Sequence, residues 1–211
     1  MARLDHVVFA VTDLDRAAAR LFEDHGLEAQ PGGMHDAAHG EAGTANMLVP
    51  LGDGQALELL AVTNPESKHP IVQSLLRALV DGDRLLNFAL ATDDIESESA
   101  RLGEPVFDGG RPTATGDRVS FRLTGVNGIV GKELLPWWIQ WPAGGGWLTE
   151  LRPARHRTTT LGISGVEYGG IAEHLAHRIN DRQFPIQVTS GRPGLAAVWI
   201  RTNGQKIEIR A

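Results

Sequence analysis

GTANMLVPLGDGQALELLAV, residues 43–62, decides how the rest of the chain is read. Two apolar, strand-like runs flank Gly52-Asp53-Gly54, the strongest kind of short hairpin signal. In the second run alternate residues share a face, so Ala56, Glu58 and Leu60 lie on one side and Leu57, Leu59 and Ala61 on the other. Glu58 is therefore a carboxylate in the middle of a mostly apolar strand. A carboxylate there needs a cation, a proton or several hydrogen-bond donors to offset its lost hydration. What Glu58 faces is the main question about function.

Composition narrows the field. The chain has 211 residues, 42% of them apolar and 22% charged, as in an ordinary globular protein. A net charge of −6 argues against a broad nucleic-acid-binding surface. No apolar run reaches membrane-spanning length and the first eleven residues lack a signal-peptide layout, so the expected setting is the cytoplasm, with neither nucleic acid nor membrane as partner. With no cysteine, disulfides, thiolate catalysis and zinc–thiolate sites are excluded.

Outward from the hairpin, residues 3–11 (RLDHVVFAV) read as a buried strand carrying His6. Asp13 then caps an amphipathic helix that stops at Gly26. Residues 28–42 are rich in glycine and polar groups and read as a loop or a short, irregular edge strand. In that reading His35 is a loop residue and His39 sits at the mouth of whatever the strands enclose. The unit is strand, helix, loop or edge strand, strand, strand: βαβββ. Pro70 opens a crossing helix that ends at Asp81-Gly82.

A second unit follows. HVVFAVTDLDRAAARLFEDHG and NFALATDDIESESARLG share strand, acidic cap, small amphipathic helix and terminal glycine, a weak internal repeat that aligns His6 with Asn87. Residues 118–123 alternate as a strand, and residues 133–141 (ELLPWWIQW) close the unit, which aligns Gln140 with Glu58. The remainder reads as a shortened third copy: strand 159–166, helix 171–179, and a hairpin around Asn203-Gly204 with the strong signal of a type I′ turn. The expected fold is α+β: paired βαβββ modules forming a curled, half-open mixed β-barrel, with a shortened C-terminal βαββ unit. The expected boundaries are 1–83, 84–152 and 153–211.

His6 and Glu58 come from separate strands, and each is read as belonging to a pocket. Asn87 and Gln140 are either structural amides or groups that orient substrate or water. Asn46 shares the hairpin with Glu58 and is placed to bond to it or to a ligand. Arg111 is a candidate bidentate binder of a carboxylate or phosphate. Trp138, sharing a face with Gln140, is a candidate apolar wall. His174 and His177, three apart on a helix, read as a solvated face.

Two βαβββ units with a His in the first strand and a Glu in the fourth resemble the vicinal-oxygen-chelate superfamily of glyoxalase I, extradiol dioxygenases and bleomycin-resistance proteins. More narrowly, LDHVVFAV, GTANMLVPLGDG, LELLAV and LPWWIQWP look like a glyoxalase-like subfamily of bacterial proteins. The resemblance implies one divalent ion, Mn, Fe, Ni, Zn or Mg, inside the curled sheets, with ligand positions at His6, Glu58, Asn87 and Gln140. Two of those four are amides, which departs from glyoxalase I and argues against that activity. What the resemblance implies is a metal-assisted lyase, isomerase or dioxygenase-type enzyme on a small oxygenated substrate. His6 and Glu58 would be metal ligands, Glu58 or His39 would move a proton, and Asn46, Asn87, Arg111, Trp138 and Gln140 would bind substrate. The alternative is a metal-free protein that binds a small molecule for sequestration or resistance. A third reading is a structural or regulatory homodimer.

Overall fold

The structure, a computed structural model, describes residues 2–37, 40–112, 118–143, 145 and 151–210. Strand β1 (Arg3–Ala10) is buried along nearly its whole length. Helix α1 (Leu14–His25) starts where the Asp13 carboxylate accepts the Arg16 N–H, and ends at Gly26, which takes up φ 68° to return its N–H to the last turn. Then come β2 (Gln30–Ala37), β3 (Gly40–Gly52) and β4 (Gln55–Val62). The turn between the last two is Asp53-Gly54, both with positive φ, as a two-residue type I′ hairpin requires. Residues 28–42 thus contain a full edge strand, irregular where the β2–β3 register shifts at Pro31/Gly33 and Met34/Asp36.

Helix α2 (Pro70–Ala78), with proline in its first turn, leads to the second unit. That unit runs β5 (Arg84–Ala91), α3 (Ile95–Leu102), β6 (Phe107–Pro112), β7 (Arg118–Thr124), α4 (Asn127–Val130) and β8 (Trp137–Gln140). The strands form one eight-stranded sheet in the order β2-β3-β4-β1-β5-β8-β7-β6. In each half the first strand pairs in parallel with the last, and the halves join through antiparallel β1 and β5. The outermost strands β2 and β6 pack against each other, so the mixed sheet curls almost into a closed barrel.

The C-terminal unit is β9 (Thr160–Gly169), α5 (Ala172–Ile179), β10 (Ile186–Thr189), β11 (Gly194–Thr202) and β12 (Ile207–Arg210), a four-stranded sheet of order β10-β9-β11-β12. It has one strand more than the sequence suggests, because IQVT is short and largely exposed. Its wiring also differs from the modules: β9 pairs in parallel with the strand directly after its helix. The β11–β12 loop spans residues 203–206, and neither Asn203 nor Gly204 has positive φ, so the I′ turn expected there does not form.

Two apolar layers follow. The back of the large sheet, with Val7, Leu57, Leu59, Phe88 and Trp138, packs on α1 and on Val166, Tyr168, Val198 and Ile209 of the C-terminal unit. The front, with Val8, Ala10, Leu60, Ala89, Trp137 and Ile139, is covered at one end by Leu75 and Ala78 of α2. His6, Val8 and Ala10 alternate onto this front face, as do Glu58 and Leu60, so the polar residues of interest lie inside the curl.

Candidate functional site

Three neighbouring strands of the first module bring the site together. Val8 of β1 pairs with Glu58 of β4, and Leu48 of β3 pairs with Glu58 from the other side. Glu58 is 6% exposed and His6 3%. His6 Nε2 lies 3.5 Å from Glu58 Oε2, and His35 Nε2 lies 3.5 Å from Glu58 Oε1. Asn46 Nδ2 donates to Glu58 Oε1 at 2.6 Å and sits 3.2 Å from His35 Nε2. A hydrogen bond to a charged group of this kind contributes about 1.5–3 kcal/mol. The donors around Glu58 offset the desolvation that its place in an apolar strand imposes. His35, whose Nδ1 is 3.1 Å from Thr44 Oγ1, keeps 22% of its side chain exposed and is the member of the cluster nearest solvent.

Behind His6 stands Asp5, fully buried. Its Oδ2 is 2.8 Å from His6 Nδ1, and its Oδ1 accepts from Trp141 Nε1 at 3.1 Å. Strict alternation would put Asp5 and His6 on opposite faces. The register between β1 and β5 shifts between Leu4 and His6, and this irregularity lets consecutive residues meet on one side. Close approach of β2 has its own requirement: a Cβ at Gly32 would fall 2.0 Å from Asn46 Oδ1, so only glycine lets the edge strand pack over the Asn46 amide.

The other expected site residues distribute differently. Asn87 is 1% exposed; its Nδ2 donates to Leu135 O at 3.4 Å, and its Oδ1 has no hydrogen-bond partner among the described residues. Gln140 is not the counterpart of Glu58. Across β5–β8, Ala89 pairs with Trp137 and Ala91 with Ile139, and both β8 residues belong to the front layer. Gln140 therefore faces the back, where its Nε2 donates to Asp93 O at 2.7 Å. A one-residue slip reverses every side chain of a strand. Trp138 goes with it: fully buried in the back layer, it donates to Arg178 O and lies under the Arg182 guanidinium, away from His6 and Glu58. The walls beside the polar cluster are instead Trp137, edge-on to His6 at 5.4 Å, and the Phe121–Trp141 pair. Arg111 pairs through its backbone with Val119, and its side chain lies outside the described residues, as does His39 altogether.

The donor set bears on the implied metal. His6 and Glu58 offer an imidazole nitrogen and a carboxylate, and a carboxylate behind a ligating imidazole, as Asp5 stands here, is a common companion of metal sites. The set is not completed, because Asn87 brings a neutral amide and Gln140 faces the wrong side. Among the described residues no group of three or more His, Cys, Asp or Glu is arranged to hold an ion. Among the described residues, the donors His6, Glu58 and His35 are therefore not arranged as a divalent centre. A separate cavity of about 440 Å³ lies between the β3–β4 hairpin and the segment after β8, lined by Pro50, Gly52, Gln55, Leu151, Arg152 and His156 among others; neither His6 nor Glu58 lines it.

The sequence matches the family described as "Glyoxalase-like domain" over residues 4–183. No curated protein matches it. Among solved structures it is similar to a hypothetical protein from Staphylococcus aureus, with 16% identity, 100% of this chain and 86% of that one covered, and a TM-score of 0.61. It also aligns with methylmalonyl-CoA epimerase from Mycobacterium tuberculosis at 17% identity, covering 67% of this chain and 91% of that one, with a TM-score of 0.45. The Streptomyces coelicolor methylmalonyl-CoA epimerase in complex with 2-nitronate-propionyl-CoA aligns at 21% identity, 66% and 96% coverage and a TM-score of 0.44. At 16% identity the likeness to the Staphylococcus aureus protein is one of fold. The family match over most of the sequence and the paired-module sheet together place the chain in the glyoxalase-like domain family of the vicinal-oxygen-chelate superfamily.

Proposed function

We propose that the chain is an enzyme of the isomerase or lyase type that moves a proton on a small oxygenated molecule held in the curl of the sheet, with Glu58 as the base. The observation that carries this is the flanking of the Glu58 carboxylate, one imidazole nitrogen 3.5 Å from each oxygen. Such a carboxylate takes a proton from a carbon next to a carbonyl, leaving the electron pair on the carbonyl oxygen as an enolate. The proton then passes to an imidazole or returns. Return to a neighbouring atom gives an isomer; loss of a leaving group from the adjacent carbon gives a lyase product. Asn46 fixes the carboxylate, and His35, the more exposed imidazole, exchanges protons with solvent. Asn87, whose Oδ1 has no partner among the described residues, is a substrate-binding candidate here, and Arg111 stays a candidate from the sequence. The proton chemistry is assigned in this reading to Glu58 and the two imidazoles beside it.

Metal-free sequestration of an aromatic or apolar compound is the second reading, supported by the edge-on aromatic pairs beside the cluster. The two separate in one experiment. The protein, with its metal content measured as isolated, is incubated in D2O with a panel of small 2-oxo, 2-hydroxy and thioester compounds and followed by proton NMR. Deuterium uptake next to a carbonyl supports the enzyme. No uptake, together with a melting temperature raised by aromatic compounds, supports sequestration.

A further inference from the structure

We propose that the cavity of about 440 Å³ beside the β3–β4 hairpin is a second binding site, separate from the Glu58 cluster, and that it takes a small carboxylate with an apolar body. Its volume is that of a small-molecule pocket. Pro50 of β3 forms one wall, and Leu151, Pro153 and Ala154 of the segment after β8 form another. Leu151 also packs, with Trp141, against Leu48 and Ala56. Those two residues stand directly opposite Glu58 and two positions before it on its own face, so an apolar layer divides the cavity from the polar cluster.

What the cavity recognises follows from which of its polar groups are already engaged. His156 accepts the Glu28 backbone N–H on Nδ1 at 2.8 Å and donates from Nε2 to Pro50 O at 2.7 Å. A backbone N–H only donates and a carbonyl only accepts, so the ring braces the wall and has nothing left for a ligand. Gln55 is occupied in the same way, donating to Leu4 O at 3.0 Å and accepting the Ile163 N–H at 2.7 Å, and the Thr158 hydroxyl donates to Asn203 Oδ1 at 3.0 Å. Arg152 differs. Its Nη2 donates to Glu28 Oε1 at 2.8 Å, and among the described residues its guanidinium donates to nothing else. The hydroxyls of Thr159 and Thr160 also lack a partner among the described residues. No acidic residue among those described lines the cavity, and the Arg152 side chain is 53% exposed, so its charge is reached from solvent. Five N–H donors let a guanidinium hold Glu28 on one edge and a second carboxylate on another. The two hydroxyls add donors, and the proline and leucine walls take up the hydrocarbon.

The test is a proton–nitrogen-15 NMR titration of the full chain with 4-phenylbutanoate and, as a neutral counterpart, 4-phenylbutanamide. The carboxylate is expected to bind saturably at millimolar concentration or tighter, shifting the amides of Leu151, Ala154 and Thr160, and to bind about tenfold more tightly than the amide. Arg152→Gln is expected to weaken the carboxylate about tenfold or more and leave the amide compound unchanged. Glu28→Gln releases the guanidinium from its competing carboxylate and is expected to tighten binding about threefold or more. Variants that weaken binding together would mean that the Arg152–Glu28 pair only holds the wall in place, which overturns the proposal. Equal affinity for the two compounds, shifts at Asn46 and Glu58 in place of Leu151 and Ala154, or no saturable shift in the wild type would each overturn it as well. Should Arg152→Gln fail to fold, the comparison of the two compounds and the direction of the Glu28→Gln effect decide.

Discussion

The two halves of the eight-stranded sheet share one connectivity, and only one of them brings a buried carboxylate and two imidazoles together. In the first, β1 and β4 place His6 and Glu58 inside the curl, and β2 and β3 add His35 and Asn46. In the second, β8 places Trp137 and Ile139 on the same face, and β5 contributes Asn87 and Ala89. The first module holds the polar cluster and the second lines it with aromatic side chains, with Trp141 reaching across to Asp5. A repeated backbone therefore does not imply repeated ligands: the phase of each strand decides which residues enter.

That contrast can be broken by moving a charge along β8. Ile139→Glu would bury a carboxylate in the front apolar layer and is expected to cost about 4 kcal/mol or more, or to prevent folding. Gln140→Glu, on the back and half-exposed, loses its hydrogen bond to Asp93 O and is expected to cost only about 1 kcal/mol. Denaturant unfolding of the two variants checks the phase directly; equal costs would mean that the face assignment is wrong. Trp138→Ala tests whether the second module's other face is core, with an expected loss of about 3–5 kcal/mol from the cavity it opens.

A smaller effect sharpens the view of how the C-terminal unit seals the back of the sheet. Tyr168 is the sole tyrosine of the chain, and burial first, then the neighbouring Glu133, pushes its phenol up to about 12. Its hydroxyl donates to Glu133 O at 2.9 Å. Tyrosinate absorbance in the folded protein should therefore appear near pH 12, about two units above the free phenol. Below about pH 10 the phenol is neutral in both folded and unfolded chains. Above it the unfolded chain ionises first, so stability falls as pH rises through that window, and Tyr168→Phe removes this dependence.

Much of this arrangement can be read in the sequence, and the rest fails for identifiable reasons. Clean alternation in QALELLAV fixes the face of Glu58, and a β-branched run fixes the strand of His6. WWIQW has large apolar or amphipathic side chains on both faces, so its alternation has no phase to read, and the alignment of Gln140 with Glu58 falls one residue out of step. Asp5 is hidden for the opposite reason: strict alternation assigns it away from His6, and the register irregularity that reunites them leaves no mark in RLDHVVFAV. Residues 30–37 look like a loop because Pro31-Gly32-Gly33 punctuates them, although the glycines are there to let an edge strand lie close over Asn46. Reading Gly32 as a point of close approach would have put His35 beside the site.

The central claim is that proton chemistry belongs to the first module alone. Its most direct test is the rate of deuterium uptake, on whichever panel compound exchanges, in Glu58→Gln and Gln140→Ala alongside the wild type. The account predicts a loss of about 10²–10⁴-fold for Glu58→Gln and a rate within about twofold of wild type for Gln140→Ala. Undiminished exchange in Glu58→Gln, or a comparable loss in Gln140→Ala, would contradict it.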